Sequence, residues 1–443
     1  APFRMPRRAA LLGAAATLGG CEAGLFGIGE SKKTPIPGER IAVMQGERMV
    51  EADPRLSAVG VRVPEPNVNN DWPQPGGTPG HAVGHVALAG YKTLWRSDVG
   101  SATGREGRVV APPIIAEGRV FVVDARSQVS CLDAEKGKRI WRFDTQAEGA
   151  RSSGSGGGAA FENDRLYVTT GYGQVIALVA DTGKELWRTS LTAPIRSGPT
   201  VGGGRVFAVS IDNQIHCLDA TTGRRQWAHS GITETAGLYG SASPALSGNT
   251  VIAPFSSGEI FALRVDNGRV LWGDSLAGVV RSDAVSSLAD IRGFPVVDRG
   301  LVIAASHGGR MAGIDLRSGE RVWDQNIGSQ YTPWVVGEFI FVTTVESELV
   351  CLMRRDGRVR WVQQLQRFRD ERRQRGRVIW TGPLLVSDTL FIANSLGEGL
   401  VASYQTGELL ERISLPGPVV VPPVVAAGTL YLLTDEADLV ALR

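Results

Sequence analysis

A short motif recurs along most of this chain: a glycine is followed four residues later by a tryptophan that lies in a β-rich hydrophobic stretch. The tryptophans of the six complete copies are Trp141, Trp187, Trp227, Trp272, Trp323 and Trp361. Gly407 keeps the spacing but is followed by Glu411, and Trp95 lacks the glycine. These eight markers are 38 to 51 residues apart. A period in the forties built from short strands predicts β-propeller blades, not a helical solenoid.

The strands within one unit can be placed from β-rich runs and turn residues. The first unit is predicted to contain strands at 113–115, 120–124, 129–133 and 139–143. The turn at Gly137 requires a positive φ, which glycine adopts without a Cβ clash. The large tryptophan side chains are then expected to pack between adjacent blades.

Counting the units predicts how the ring closes. Seven complete units fit between Val109 and Leu415, and three strands without a fourth remain within 424–442. Tyr91–Arg96 is a strand with no unit of its own, and joining it to those three completes an eighth blade and removes the exposed edges. The predicted fold class is all-β: an eight-bladed β-propeller of four-stranded antiparallel blades, with the ring closed by an N-terminal strand that completes the last blade.

The first 20 residues have the features of an export signal. Three arginines precede a small apolar run at 9–20, which at 1.5 Å per residue is too short to cross a hydrocarbon core of about 30 Å. The run ends in Gly19-Gly20-Cys21 and resembles a bacterial lipoprotein signal, which implies cleavage before Cys21 and lipid attachment to it. Glu22 in the next position favours the outer membrane. An ordinary cleaved signal with an incidental cysteine is the alternative.

These observations predict three segments. Residues 1–20 are a lipoprotein signal peptide, residues 21–90 are an acylated N-terminus with a Pro- and Gly-rich tether, and residues 91–443 are the propeller. Prolines recur from Pro35 to Pro79, and a tether of this length is long enough to hold a domain well away from a membrane.

Charge and metal-ligating residues exclude several functions. The 47 basic and 45 acidic residues give +2, without the strong basic excess expected of a nucleic-acid-binding protein. Three cysteines occupy equivalent positions of the repeat in non-adjacent blades: Cys131, Cys217 and Cys351. They are too far apart to form disulfides. We expect them to be small buried thiols. His81 and His85 lack the intervening glutamate of a helical zinc motif. No catalytic, cofactor-binding or metal-binding residue is predicted.

The repeat, a small residue-x-Asp-x-x-x-Gly-x-x-x-Trp, resembles that of the pyrroloquinoline-quinone (PQQ) enzyme-like propeller superfamily. The segments 131–141 and 217–227 match it best, and the resemblance covers about residues 69 to 443. A PQQ dehydrogenase of this superfamily would be expected to carry adjacent cysteines, calcium ligands and a catalytic aspartate. No two cysteines are adjacent here, although Asn70-Asp71-Trp72-Pro73 is similar to the start of such enzymes. A dehydrogenase-like function and a sugar- or cell-wall-binding propeller both stay open.

The lipoprotein signal, the tether and a propeller without an evident active site together resemble the BamB family, lipoprotein scaffolds of the outer-membrane β-barrel assembly (BAM) machinery. The resemblance implies a non-enzymatic protein without a cofactor, anchored by lipid at the periplasmic face of the outer membrane of a Gram-negative bacterium. It implies binding to the POTRA domains of BamA and to other BAM subunits. It also implies a role in the insertion of β-barrel proteins, with unfolded clients as further candidate partners.

In that family two rim loops contact the barrel component, one between blades three and four and one between blades four and five. The first carries Leu-x-Leu-Arg-Gly, which falls on 236–240, and the second carries Asp-x-Asp, which falls on 290–292. Three positions match the family pattern and three depart from it. The implied partner-binding residues are Ala236, Leu238, Tyr239, Asp290 and Arg292.

A second surface feature is independent of that resemblance. Six arginines lie between Arg367 and Arg377, and we expect them on an exposed loop between blades six and seven. Such a loop is either simply solvated or contacts anionic headgroups or an acidic partner face.

Overall fold

Four-stranded antiparallel sheets are the repeating unit of the structure, a computed structural model that describes residues 50–105, 107–146, 154–234, 238–277 and 289–443. The first strand of the chain, β1 (Thr93–Asp98), belongs to the last sheet. The next sixteen strands build the first four blades. They are β2 (Ile114–Ala116), β3 (Arg119–Val123), β4 (Val129–Asp133) and β5 (Arg139–Phe143) in blade one; β6 (Gly157–Glu162), β7 (Arg165–Thr170), β8 (Gln174–Val179) and β9 (Glu185–Ser190) in blade two; β10 (Thr200–Gly202), β11 (Arg205–Ser210), β12 (Gln214–Asp219) and β13 (Arg225–Ser230) in blade three; and β14 (Ala245–Ser247), β15 (Thr250–Pro254), β16 (Glu259–Arg264) and β17 (Val270–Ser275) in blade four.

The remaining blades follow the same plan, with one extra hairpin between blades six and seven. They are β18 (Val296–Asp298), β19 (Leu301–Ala305), β20 (Met311–Asp315) and β21 (Arg321–Gln325) in blade five; β22 (Trp334–Val336), β23 (Phe339–Thr343), β24 (Glu348–Met353) and β25 (Val359–Gln364) in blade six; β26 (Phe368–Asp370) and β27 (Arg375–Arg377) in the hairpin; β28 (Trp380–Val386), β29 (Thr389–Asn394), β30 (Glu398–Ser403) and β31 (Leu409–Ser414) in blade seven; and β32 (Val424–Ala426), β33 (Thr429–Leu433), β34 (Asp438–Leu442) and β1 in blade eight.

Ring closure occurs as the sequence predicts. β1 pairs antiparallel with β34, so that Trp95 lies opposite Ala441 and Asp98 lies opposite Asp438. The eighth blade thus takes its outer strand from the N-terminal side and its other three strands from the C-terminus. The predicted eight-bladed fold is confirmed.

The recurring tryptophans lie at the seams between blades, as expected. The ring of Trp141 packs on Gly183 of the next blade so closely that a Cβ on that glycine would lie 2.8 Å from the ring. The Trp141 indole N–H also donates a 2.9 Å hydrogen bond to the carbonyl of Ala180. Seven seams share this arrangement: Trp95 on Gly137, Trp141 on Gly183, Trp187 on Gly223, Trp227 on Gly268, Trp272 on Gly319, Trp323 on Gly357 and Trp361 on Gly407.

The eighth seam, between blades seven and eight, is built differently. The tryptophan position of blade seven is Glu411, and no glycine turn joins β34 to β1 because these strands come from opposite ends of the chain. Tyr91 instead stacks on Phe391, with ring centroids 5.4 Å apart. Blade seven, whose copy of the motif lacks the tryptophan, therefore faces blade eight, which lacks the glycine on which a tryptophan would pack.

Residues 67–90, called the belt here, hydrogen-bond to all eight blades in turn. Near its start, Trp72 and Ile115 of blade one exchange two backbone hydrogen bonds of 2.7 and 3.0 Å. The contacts to the eight blades, in order, are Trp72 with Ile115, Pro73 with Phe161, Gln74 with Val201, Pro79 with Leu246, Gly80 with Val297, Gly84 with Trp334, Val86 with Leu385 and Ala89 with Gly428.

The segment before the belt is also attached to the ring. Leu56, in a short 3₁₀ turn at Pro54–Leu56, and Val61 are buried against blades six and seven. The backbone N–H of Val61 donates to the side chain of Gln405 at 3.0 Å. Within the predicted tether of 21–90, the part from residue 50 onward is thus bound to the propeller, because apolar side chains between its prolines are buried there. No helix of the described residues is long and apolar enough to span a membrane.

Candidate partner-binding cleft

The two loops singled out by sequence cross the same end of the ring. The first follows β13 and the second follows β17; the structure describes residues 238–244 of the first and 289–295 of the second near their C-terminal ends. Ala236 and most of the second loop lie outside the described residues. A cleft of about 190 Å³ lies between the two loops, lined by Leu238, Asp290 and Arg292 together with Arg196 and Glu234.

Asp290 ties the two loops together. Its side chain is buried, and one carboxylate oxygen accepts a 3.1 Å hydrogen bond from the backbone N–H of Leu238. Its backbone carbonyl accepts a 2.8 Å bond from the N–H of His307. The second carboxylate oxygen, Oδ2, is buried and has no hydrogen-bond partner among the described residues. Burial raises the pKa of this carboxyl, because desolvation penalises the charged form.

Tyr239 does not project as a free apolar anchor. Two guanidinium groups lie over its ring, that of Arg196 at 4.4 Å and that of Arg108 at 5.4 Å from the ring centroid. Its hydroxyl hydrogen-bonds to the hydroxyl of Ser155, on the loop that enters blade two. A cation over an aromatic face contributes about 0.5–1 kcal/mol at such sites. Burial raises the pKa of the Tyr239 phenol, although both arginines oppose that shift. Tyr239 therefore connects the blade-three loop to blades one and two.

Arg292 occupies space that a glycine leaves open. A Cβ on Gly240, whose φ is +112°, would lie 2.9 Å from Nε of Arg292. The Arg292 guanidinium donates a 2.8 Å hydrogen bond to the side-chain carbonyl of Gln330 on the next loop. The loop after blade three, the loop after blade four and the loop after blade five are thus linked side by side.

Two polar side-chain atoms in the lining of the cleft, one acceptor and one donor, have no hydrogen-bond partner among the described residues. Asp290 Oδ2 is an unused acceptor, and Arg196 Nε is a buried donor without a hydrogen-bond partner in the described part of the chain. Buried polar atoms are usually paired, so these two atoms mark a place where the packing of the loops leaves hydrogen-bonding capacity unused. Three of the five predicted site residues, Leu238, Asp290 and Arg292, therefore line one cleft, and Tyr239 packs on Arg196 beside them.

Sequence reasoning missed two participants, Arg108 and Arg196. They come from the loops that enter blade one and blade three, and nothing in their local sequence distinguishes them from the many other arginines. Only the closed ring brings these loops over Tyr239.

Other potential sites offer little chemistry. Cys131, Cys217 and Cys351 are buried free thiols, as expected, and burial raises the pKa of Cys131 and of Cys217 to about 12. Thiols with such raised pKa values are poor nucleophiles. No cluster of metal-ligating side chains occurs among the described residues.

PQQ, the cofactor of enzymes that share this fold, does not fit the cavity beside the stacked rings of Trp72 and Trp334. That cavity holds only about 40 Å³. PQQ is a tricyclic tricarboxylate that needs more room and cationic partners, and the cavity lining consists of prolines, aromatic residues and other uncharged groups around the buried His81. Burial lowers the pKa of His81 to about 4, so this imidazole is neutral near pH 7.

The blades, their tryptophan–glycine seams and the rim cleft define an eight-bladed propeller of the PQQ-like repeat class. The family model described as "Outer membrane protein assembly factor BamB" matches residues 86–156 and 125–363. The chain belongs to this BamB family.

Individual relatives agree with that family assignment. The outer membrane protein assembly factor BamB of Legionella pneumophila (strain Paris) is 28% identical over 202 residues. That of Alkalilimnicola ehrlichii is 30% identical over 207 residues. Each alignment covers 46% of this chain, and 50% and 52% of the relatives, so the chain spans about half the length of the curated relatives it matches.

Solved structures show the same fold. The crystal structure of BamB from Moraxella catarrhalis superimposes with a TM-score of 0.66 at 20% identity, covering 79% of this chain and 100% of that one. The quinohemoprotein alcohol dehydrogenase from Comamonas testosteroni gives a TM-score of 0.61 at 16% identity, covering 82% of this chain and 76% of the enzyme. BamB and an alcohol dehydrogenase share the propeller, so fold alone does not assign function.

Proposed function

We propose that this protein is a non-enzymatic scaffold lipoprotein of the outer-membrane protein assembly complex. In this proposal it binds the POTRA domains of BamA, joins the other BAM subunits, and aids the insertion of β-barrel proteins from the periplasmic face of the outer membrane. Membership of the BamB family supports this function, as do the names of the relatives.

The observation that carries the proposal is the link between the two rim loops. The hydrogen bond from Leu238 to Asp290 fixes the loop after blade three against the loop after blade four. Both loops therefore present one continuous surface instead of two independent ones. Such preorganisation lowers the ordering cost of binding a partner.

The chemistry of the cleft suits an extended backbone segment of the partner. The exposed Glu234 carboxylate can accept from a partner N–H, and the half-buried Arg292 guanidinium can donate to a partner carbonyl. Leu238, which is half-buried beside them, adds an apolar contact. A sheet edge of a POTRA domain offers alternating N–H and C=O groups in this form, and strand addition is a common mode of domain docking.

The proposed absence of enzymatic activity is supported by the interior of the ring. Its thiols are buried with raised pKa values, and the cavity beside Trp72 and Trp334 does not accommodate the cofactor of the related dehydrogenases.

Membrane attachment remains a prediction from sequence. Cleavage before Cys21 and acylation of that cysteine would leave 28 residues between the anchor and residue 50, where the described part of the propeller unit begins. Several acyl chains would make the attachment stable.

The test is a binding measurement between the full chain and the purified periplasmic part of BamA from the same bacterium. Leu238→Asp should weaken binding at least thirtyfold, because it replaces the apolar contact of Leu238 by a charge beside the Asp290 carboxyl. Asp290→Asn keeps the oxygen that accepts from Leu238 and should weaken binding less. Leu271→Asp, at a leucine that is 47% exposed on the outer strand of blade four, is the matched control and should bind normally. Normal binding by a folded Leu238→Asp variant would place the interface elsewhere.

A further inference from the structure

The hairpin formed by β26 and β27 interrupts the junction between blades six and seven. Residues 367–377 contain six arginines and two acidic residues, a local charge of 6 − 2 = +4. The whole chain carries +2, so the remaining 432 residues carry 2 − 4 = −2. Positive charge is thus concentrated on this hairpin and is not a general property of the surface.

The base of the hairpin is firmly attached to the ring. Both Arg367 and Arg377 form ion pairs with Glu346 of blade six, at 2.8 and 3.5 Å. The indole N–H of Trp380 donates a 2.8 Å hydrogen bond to the carbonyl of Gln366. The hairpin therefore has a defined position on the propeller.

The outer part of the hairpin is not neutralised within the protein. Arg369, Arg372 and Arg375 are exposed and form no ion pair with any residue that the structure describes. The two acids of the hairpin are already engaged with its backbone: Glu371 accepts from the N–H groups of Arg367 and Phe368, and Asp370 accepts from that of Arg373.

The pairing of the strands spreads these guanidinium groups over the hairpin. Phe368 lies opposite Arg377 and Asp370 lies opposite Arg375, so these four side chains share one face. Arg369 points to the other face. Arg372 lies in the turn between the strands. Guanidinium groups presented in this way can contact several anionic groups of an extended surface at once, and they bind phosphate oxygens in a bidentate manner.

The position of the hairpin on the ring favours a lipid surface as the source of those phosphates. The backbone N–H of Val50 donates to the carboxylate of Glu348 at 3.3 Å, two residues from the Glu346 that holds the hairpin. The chain thus reaches the ring from its N-terminal side beside the arginines. A 28-residue connection to an acylated Cys21, which rests on the proposed function, reaches at most about 100 Å. The hairpin would always lie within that distance of the bilayer.

We propose that this arginine hairpin binds the phosphate groups of an anionic phospholipid bilayer and so orients the propeller on the membrane surface. An acidic face of a partner protein is the competing occupant. Electrostatic attraction of this kind decays within about 10 Å at 0.1 M salt, so binding requires the hairpin to lie close to the headgroups.

The experiment measures co-sedimentation of the full chain carrying Cys21→Ser, so that no acyl chain contributes, with vesicles of equal parts phosphatidylcholine and phosphatidylglycerol. Each arginine near an anionic surface contributes about fivefold to binding. The affinity of the combined variant Arg369→Gln, Arg372→Gln and Arg375→Gln for these vesicles should therefore fall on the order of a hundredfold at low salt. Vesicles of phosphatidylcholine alone should bind neither protein.

A matched variant removes the same charge from three exposed arginines elsewhere on the ring: Arg225→Gln, Arg269→Gln and Arg317→Gln. The affinity of this matched variant for the vesicles should fall only a few-fold. Equal losses in the two triple variants, or no loss in the hairpin variant, would overturn the proposal. So would intact vesicle binding by the hairpin variant with weakened binding to BamA, which would assign the hairpin to an acidic protein face. Leu238→Asp should leave vesicle binding unchanged, so failure of the rim cleft and failure of the hairpin remain distinguishable.

Discussion

The packing of tryptophan on glycine at the blade seams predicts a large difference between two otherwise similar substitutions. Gly357 and Gly204 both have positive φ values, +68° and +73°. Replacing either by alanine forces a side chain into the left-handed region, which costs about 1–2 kcal/mol in both cases. At Gly357 the new Cβ would also lie 2.6 Å from the ring of Trp323, whereas at Gly204 nothing lies within 4 Å.

That overlap sets the expected difference. Carbon atoms in contact are normally about 3.5–4.0 Å apart, so either the indole or the turn must move by about an ångström. Trp323 is buried, and its N–H donates a 2.8 Å hydrogen bond to the carbonyl of Arg354, so the ring cannot turn away freely. Overpacking of this kind costs about 1–3 kcal/mol. Gly357→Ala should therefore lower the free energy of unfolding by about 1–3 kcal/mol more than Gly204→Ala does.

Equilibrium urea unfolding followed by far-ultraviolet circular dichroism measures this difference. Adding Trp323→Leu to Gly357→Ala should cost less than the sum of the two single changes, because the smaller side chain relieves the overlap. Equal destabilisation by the two alanine substitutions would show that backbone strain alone accounts for the seam glycines, and the packing argument would be refuted.

Two further predictions concern the N-terminal part of the structure. Since burial lowers the pKa of His81 from 6.5 to about 4, only the unfolded chain takes up this proton between those pH values. The free energy of unfolding should then fall by about 3 kcal/mol from pH 6.5 to pH 4 on account of this residue, and urea unfolding of His81→Asn should show a shallower pH dependence; an unchanged slope would contradict this. Removing residues 1–66 deletes Leu56 and Val61 from the core and should cost about 3 kcal/mol, whereas removing residues 1–49 should cost little. Equal stability of the two truncated proteins would show that the attached segment contributes nothing.

The number of blades and the closure of the ring were predictable because both depend on local patterns. Each blade repeats the same turn, and Gly137 and its equivalents need a positive φ whatever lies around them. Closure followed from counting strands, and Trp95 identified β1 as an outer strand. The sequence shows that Glu411 replaces the tryptophan, but it does not show why. The replacement makes sense only once β1 and β34, from opposite ends of the chain, are seen to pair in blade eight.

The belt could not be predicted for a physical reason. Its contacts are mostly backbone hydrogen bonds, such as that of Gly80 with Val297, and backbone groups leave no trace in the residue type. Its prolines and glycines are equally typical of a flexible tether, which is how residues 21–90 were interpreted. At the rim, the family resemblance located Leu238 and Asp290, but it could not show that the aspartate faces inward and holds the other loop.

The closure of blade eight also determines the order in which this molecule can be assembled. Arg96 and Asp438 form an ion pair across 342 residues of chain, whereas the strands within a blade meet across about a dozen. Closing the longer loop costs roughly 3 kcal/mol more in chain entropy. The pairing of β1 with β34, and the contact of Ala89 with Gly428, therefore belong to the last step of folding. Synthesis begins at the N-terminus, so Ala89 and β1 emerge early and remain without Gly428 and β34 until the last 20 residues are complete. A chain stalled before β34 would expose both the edge of β33 in blade eight and an unpaired β1, a state that favours pairing with a second copy.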